Sequence, residues 1–213
     1  PFSRNFQCSI FNAQFSMNNY SYLALGDSYT IGEQLPFADN YPNQTVQLLR
    51  KDGYAFMAPE IVARTGWTTD ELQTGINTHI FQPVYDFVTL LIGVNNQYRG
   101  RSPEEYEGQF TRLLDQALRF AGNRKDRVAV LSIPDWGITP FAANQDGLKI
   151  GQEIDRFNEI NQRVSANTGI HYIYITAWTR EAANNPALLA SDGLHPSGIE
   201  YNRWAREVYT FFK

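Results

Sequence analysis

The sequence predicts an α/β fold in which parallel strands are joined by helices that cover both faces of the sheet. Five apolar runs are spread through the 213 residues, and the segments between them carry helix starts and apolar side chains at helical spacing. One of those runs, DFVTLLIG at 86–93, is a near-continuous apolar run, as expected for a strand buried on both faces. Strands that alternate with helices need crossover connections, so the strands pair in parallel.

The first run, YLALGD at 22–27, ends in a cluster of small and polar residues. The second, at 57–64, is interrupted by Pro59. After it, TTDE at 68–71 fits a capping box, in which the first side chain and the later Glu each satisfy an orphan helix amide. The third run is followed by SPEE at 102–105, a second capping box with Pro103 at the first helical position, where its missing N–H costs nothing. Tyr106, Phe110, Leu113, Leu114, Ala117 and Ala121 then recur at helical spacing. RVAVLSIP at 127–134 is the fourth run, and the irregular stretch at 135–147 after it is long for a compact domain, as functional or mobile loops are. Ile154, Phe157, Ile160 and Val164 predict another helix, HYIYIT at 171–176 the fifth strand, and Tyr201, Trp204, Ala205, Val208 and Phe212 a last helix begun near Pro196. Residues 17–213 read as one domain. Residues 1–16 read as an N-terminal extension, or as a segment whose Phe2, Phe6, Ile10, Phe11 and Phe15 dock on that domain.

Composition removes several classes of function. The net charge of −4 lacks the basic excess of a nucleic-acid binder. Cys8 is the one cysteine, so neither an intramolecular disulfide nor a cysteine metal site is available, and His79, His171 and His195 show no short ligand spacing. No metal or cofactor is expected. No run of 18 apolar residues exists to span a membrane, and the first residues lack the apolar run of a signal peptide. A cytoplasmic location is the expectation, with a secreted or periplasmic one if a signal has been removed.

Ligands of open α/β sheets bind beyond the carboxyl ends of the strands. Ser28 lies at the first such end, and a hydroxyl nucleophile needs a base that is itself oriented by a third group. His195 precedes the last helix, and Asp192 stands three residues before it, within reach of its imidazole in one turn. Donors for an oxyanion are also present at strand ends: the Ser28 amide, the Gly66 amide and the side-chain amide of Asn95. Trp67 and Trp136 each follow a strand end, where they either line an acyl or sugar pocket or cover the edge of the core. His79 and His171 read as structural, Glu33, Asp39 and Arg99 as solvated, and Asp27 as an acceptor for backbone amides beside the nucleophile.

GDSYTIG at 26–32, the Gly66 turn, GVNN at 93–96 and DGLHP at 192–196, in that order, resemble the four blocks of the SGNH hydrolases, also called GDSL esterases and lipases. The resemblance spans roughly residues 20–210 by the order of the elements. It implies a three-layer α/β/α sandwich with a five-stranded, flavodoxin-like parallel sheet. It also implies hydrolysis of an acetylated carbohydrate, a lysophospholipid or another small acyl ester through an acyl-serine, without a metal. The Ser, Gly, Asn and His of the family's name would be Ser28, Gly66, Asn95 and His195, with Asp192 as triad acid. Two positions depart from the family pattern: Tyr29 stands where Leu or Ile is usual, and Asn96 where Asp is usual. Each motif alone is an ordinary turn; it is their joint order at successive strand ends that points to chemistry. Two other readings remain at this stage, a flavodoxin-like phosphate or nucleotide module, and a catalytically silent carbohydrate-binding relative.

Overall fold

The computed structural model describes residues 19–213. The proposed N-terminal extension, with Cys8 and the aromatic residues that precede Met17, lies outside the described residues. In chain order the elements are β1 (Tyr22–Asp27), α1 (Ser28–Ile31), α2 (Tyr41–Lys51), β2 (Glu60–Arg64), α3 (Thr69–Thr78), β3 (Phe87–Leu91), α4 (Val94–Tyr98), α5 (Pro103–Phe120), β4 (Val128–Leu131), α6 (Gly147–Thr168), β5 (His171–Ile173), α7 (Thr176–Thr179) and α8 (Gly198–Phe212), with short 3-10 turns between them.

All five strands are parallel, in the order β2-β1-β3-β4-β5. This is the flavodoxin-like doubly wound order, in which the chain reverses direction across the sheet between β1 and β3. The three inner strands are buried along their whole length, and the two outer ones only in part. One face of the sheet meets α2 and α8. There the Phe212 ring lies 4.1 Å from Phe87 and 4.9 Å from Tyr22, and the Tyr22 and Tyr41 hydroxyls converge on Thr89 Oγ1 at 2.8 and 3.2 Å. The other face is covered by α3, α5 and α6, where Tyr106 of α5 meets Phe157 of α6 at 4.6 Å.

The structure trims several predicted elements, each for a local reason. β2 begins at Glu60, after Pro59, whose ring nitrogen cannot donate to a ladder. β5 stops at Ile173 because the Ser132 hydroxyl accepts the amides of Ile175 and Thr176, at 2.8 and 3.1 Å, and turns the chain into α7. The last helix starts at Gly198 with Ser197 as its cap. Glu71 closes back on the Thr68 amide at 3.0 Å, as the first capping box requires. The second is only half made: Ser102 accepts from the Glu105 amide at 3.1 Å, but the Glu105 carboxylate pairs with Arg101 instead. The stretch at 135–147 is irregular apart from a 3-10 turn at Pro140–Ala142.

Candidate active site

Ser28 is the first residue of α1, immediately beyond β1. Asp27 caps that helix, its Oδ1 accepting the Tyr29 amide at 3.0 Å. The turn lies so close to β3 that a Cβ on Gly26 would sit 2.5 Å from the Leu91 carbonyl oxygen. The apolar strand therefore gives way to small residues because the backbone of the turn and that of the neighbouring strand end almost touch.

His195 lies in a loop closed by three backbone bonds: Ala190 N–H to the His195 carbonyl at 2.7 Å, Gly193 N–H to the Ala190 carbonyl at 3.1 Å, and Ser197 N–H to the Leu188 carbonyl at 2.8 Å. Inside it, Asp192 Oδ1 accepts the amides of Leu194 and His195, both at 3.0 Å, and Oδ2 lies 2.6 Å from His195 Nδ1. A carboxylate only accepts, so the proton sits on Nδ1 and the Nε2 lone pair faces the Ser28 hydroxyl, 2.9 Å away. Partial burial works against the Asp192 charge, but the His195 side chain and the two amides outweigh it and hold its carboxyl below the usual value. The Tyr29 ring lies against the imidazole, centroids 4.9 Å apart at 50°. Tyr29 thus occupies its departure from the family pattern as the floor beneath His195.

Gly66 takes a left-handed conformation (φ +83°), and no described residue accepts its N–H. Arg99 donates to the Gly66 carbonyl at 2.6 Å and to Glu71 at 3.0 Å. Arg99 is exposed, as expected, and through these two bonds it ties the turn to α3. Glu33 is likewise engaged, accepting from the Thr65 hydroxyl. The Asn95 Nδ2 group donates to the Trp67 carbonyl at 3.0 Å and to Asp27 Oδ2 at 3.3 Å. Its neighbour Asn96, fully buried, accepts the Thr69 amide at 3.0 Å and donates to the Thr69 hydroxyl at 2.7 Å. That hydroxyl in turn donates a hydrogen bond to Gln109 Oε1. The amide at 96 therefore locks the loop to the start of α3 because Thr69 Oγ1 serves as its acceptor.

Asp27 is fully buried, and burial raises its carboxyl from 3.8 to about 7 against the bonds from Tyr29 and Asn95. The folded state thus holds this proton more tightly than the unfolded chain. Its contribution to stability is complete below the unfolded value and is lost as the pH rises towards about 7. The interval corresponds to on the order of 4 kcal/mol. Asp27→Asn, which cannot ionise, should gain stability relative to the parent as the pH is raised through that window, read as urea unfolding midpoints at stepped pH. A constant difference would contradict it.

Ser28, Gly66, Asn95 and His195 line a cleft of about 170 Å³ together with Tyr29, Thr65 and a mostly apolar wall of Val94, Tyr98, Trp136, Phe141 and Leu194. Trp136 is almost wholly buried, stands edge-on to Tyr98 at 5.3 Å, and donates its indole N–H to Gln97 Oε1 at 2.7 Å. Gln97 in turn donates to Glu153 of α6 at 2.8 Å. Of the two tryptophans considered as substrate-binding, the structure brings only Trp136 to the cleft. The ring of Trp67 turns away and covers α3 at Gly75, whose missing Cβ makes room for it. Tyr98 and Phe141 join the wall without an isolated sequence signal. Phe141 lies within the long irregular stretch at 135–147.

His79 follows α3 and pairs with Glu60 at 2.7 Å, and His171 opens β5 and stacks on Phe211 at 4.8 Å. Neither approaches the cleft. Among the described residues no three His, Cys, Asp or Glu side chains gather as a metal site, and no helix is long and apolar enough to cross a membrane.

A hydroxyl, an imidazole and a carboxylate in series stand at the carboxyl edge of a doubly wound sheet, on the rim of an apolar cleft. This fold and site, with the family match that follows, define a carboxylic ester hydrolase of the three-layer α/β/α class. The model of the GDSL-like Lipase/Acylhydrolase family matches residues 24–203, and the chain belongs to that family. In fold it is similar to an acetylxylan esterase, Axe2, from Geobacillus stearothermophilus (19% identity, TM-score 0.71, 91% of this chain and 94% of that one). It is also similar to a lipase/acylhydrolase from Enterococcus faecalis (16% identity, TM-score 0.71, 90% and 94%). A third is the psychrotrophic esterase EstA from Pseudoalteromonas sp. (16% identity, TM-score 0.68, 90% and 96%). No curated protein matches the chain in sequence.

Proposed function

We propose that this ester hydrolase cleaves short-chain acyl esters through an acyl-serine intermediate. The observation that carries the reading is the unbroken series Asp192–His195–Ser28, at 2.6 and 2.9 Å, opening onto the cleft. Ser28 Oγ attacks the carbonyl carbon and its proton passes to His195 Nε2. The carbonyl electron pair moves to oxygen, where the amides of Ser28 and Gly66 and the Asn95 side chain stabilise the charge. When the carbonyl re-forms, the leaving alcohol departs with the proton from His195. Water then repeats the cycle, delivering the acid and restoring Ser28. Asp192 stabilises the imidazolium that forms in each half-reaction. EstA from Pseudoalteromonas sp., similar in fold, is inhibited by monoethylphosphonate. A phosphonate resembles the tetrahedral intermediate, which agrees with this reading.

The size of the cleft sets the acyl group. About 170 Å³ is well below the space that a drug-sized ligand occupies, and Trp136, held by Gln97, closes the wall. A panel of p-nitrophenyl esters of rising acyl length tests this. Acetyl to butyryl esters should exceed the octanoyl ester in kcat/KM by about tenfold or more. A preference for octanoyl would overturn the short-acyl assignment, and hydrolysis of none would overturn the whole reading.

A further inference from the structure

We propose that Asp27 is a positioning residue of this site: its buried carboxylate sets which end of the Asn95 carboxamide faces the cleft, and ties that group to the Ser28 turn. The inference rests on the acyl-serine reading. Asp27 lies where three strand ends meet, pairing in register with Arg64, just before the Gly66 turn, and next to Gly26, which pairs with Leu91 of β3. Its two oxygens do different work. Oδ1 accepts the Tyr29 amide and so fixes the helix that Ser28 opens, while Oδ2 accepts from Asn95.

No Lys, Arg or His among the described residues pairs with this carboxylate, although it is fully buried. Capping alone does not call for such a charge, because an Asn caps a helix about as well and carries none. What an Asn cannot do is accept at both ends. The pair of acceptors formed by Asp27 Oδ2 and the Trp67 carbonyl draws the NH₂ end of Asn95 into place. Both Asn95 N–H groups are thus engaged, and the one on Asp27, the longer contact at 3.3 Å, is the one shared with the oxyanion when that forms. With an NH₂ group at position 27, the favoured arrangement would turn the Asn95 oxygen towards it, and an acceptor would then stand where a donor is needed.

The test is a double-mutant cycle on p-nitrophenyl acetate at about pH 8.5, where the carboxylate is ionised. Asp27→Asn should lower kcat about 10- to 100-fold with KM held within about twofold, as expected for loss of a donor used in the transition state. Added to Asn95→Ala it should cost nothing further. Asp27→Ser, which caps the helix but is too short to reach Asn95, should behave as Asp27→Asn does and carries the test should that variant fold poorly. An unchanged kcat, an effect on KM alone, or losses that multiply in the double variant would each overturn the proposal. Activity retained in Ser28→Ala would overturn the acyl-serine reading itself, whatever Asp27 does, so the two failures are distinct.

Discussion

Ser28→Ala is expected to lower kcat on short esters by about 10⁴-fold or more and to leave the fold intact. On the acyl-serine proposal Oγ is the attacking atom, and among the described residues it is the hydroxyl that stands 2.9 Å from His195 Nε2. The fold survives because the cap of α1 is Asp27, not Ser28, and Ala is well tolerated at a first helical position. The His195–Asp192 pair keeps its own bonds within its loop. Steady-state hydrolysis, thermal unfolding and labelling by a fluorophosphonate would be measured together. The parent should gain one adduct on Ser28 and the variant none. Near-parental turnover in the variant would end the serine mechanism.

Asp192→Asn should cost nearly as much, about 10³- to 10⁴-fold in kcat. The Asn oxygen can still accept the amides of Leu194 and His195, so the loop keeps its shape. Its NH₂ group, however, would face His195 Nδ1, where the carboxylate now accepts a proton. The imidazole then does best as the other tautomer, with a proton on Nε2, and that proton points at the Ser28 hydroxyl in place of a lone pair. The variant should therefore bind substrate with little change in KM and react slowly at neutral pH. A loss confined to KM would mean that Asp192 serves the loop and not the base.

Legibility in the sequence followed the range of the forces involved. β1 and the start of α3 were readable because an apolar run and a capping box are local. The order of the candidate site residues was readable for the same reason: each marks a strand end or a turn. α2 escaped notice because YPNQTVQLLRK is mostly polar, and its helical face only declares itself against α8, with Val46 and Leu49 buried and Tyr41 meeting Trp204. The direction of the Trp67 ring depends on a glycine in a different element, Gly75. The engagement of Arg99 with Gly66, and of Asn95 with Asp27, joins residues 33 and 68 positions apart. No spacing rule reaches that far.

The Ser28 turn and the cleft wall also differ in their freedom to change. At Gly26 there is no room for even one more carbon, so drift at the reacting end is closed off. The opposite wall hangs from a chain of side-chain contacts, Trp136 to Gln97 to Glu153, that ends on the partly exposed side of α6. Substitutions there can tilt the indole without approaching the bond that is cut. Such a domain can be retuned from the outside, with its chemistry conserved by geometry and its diet left to selection.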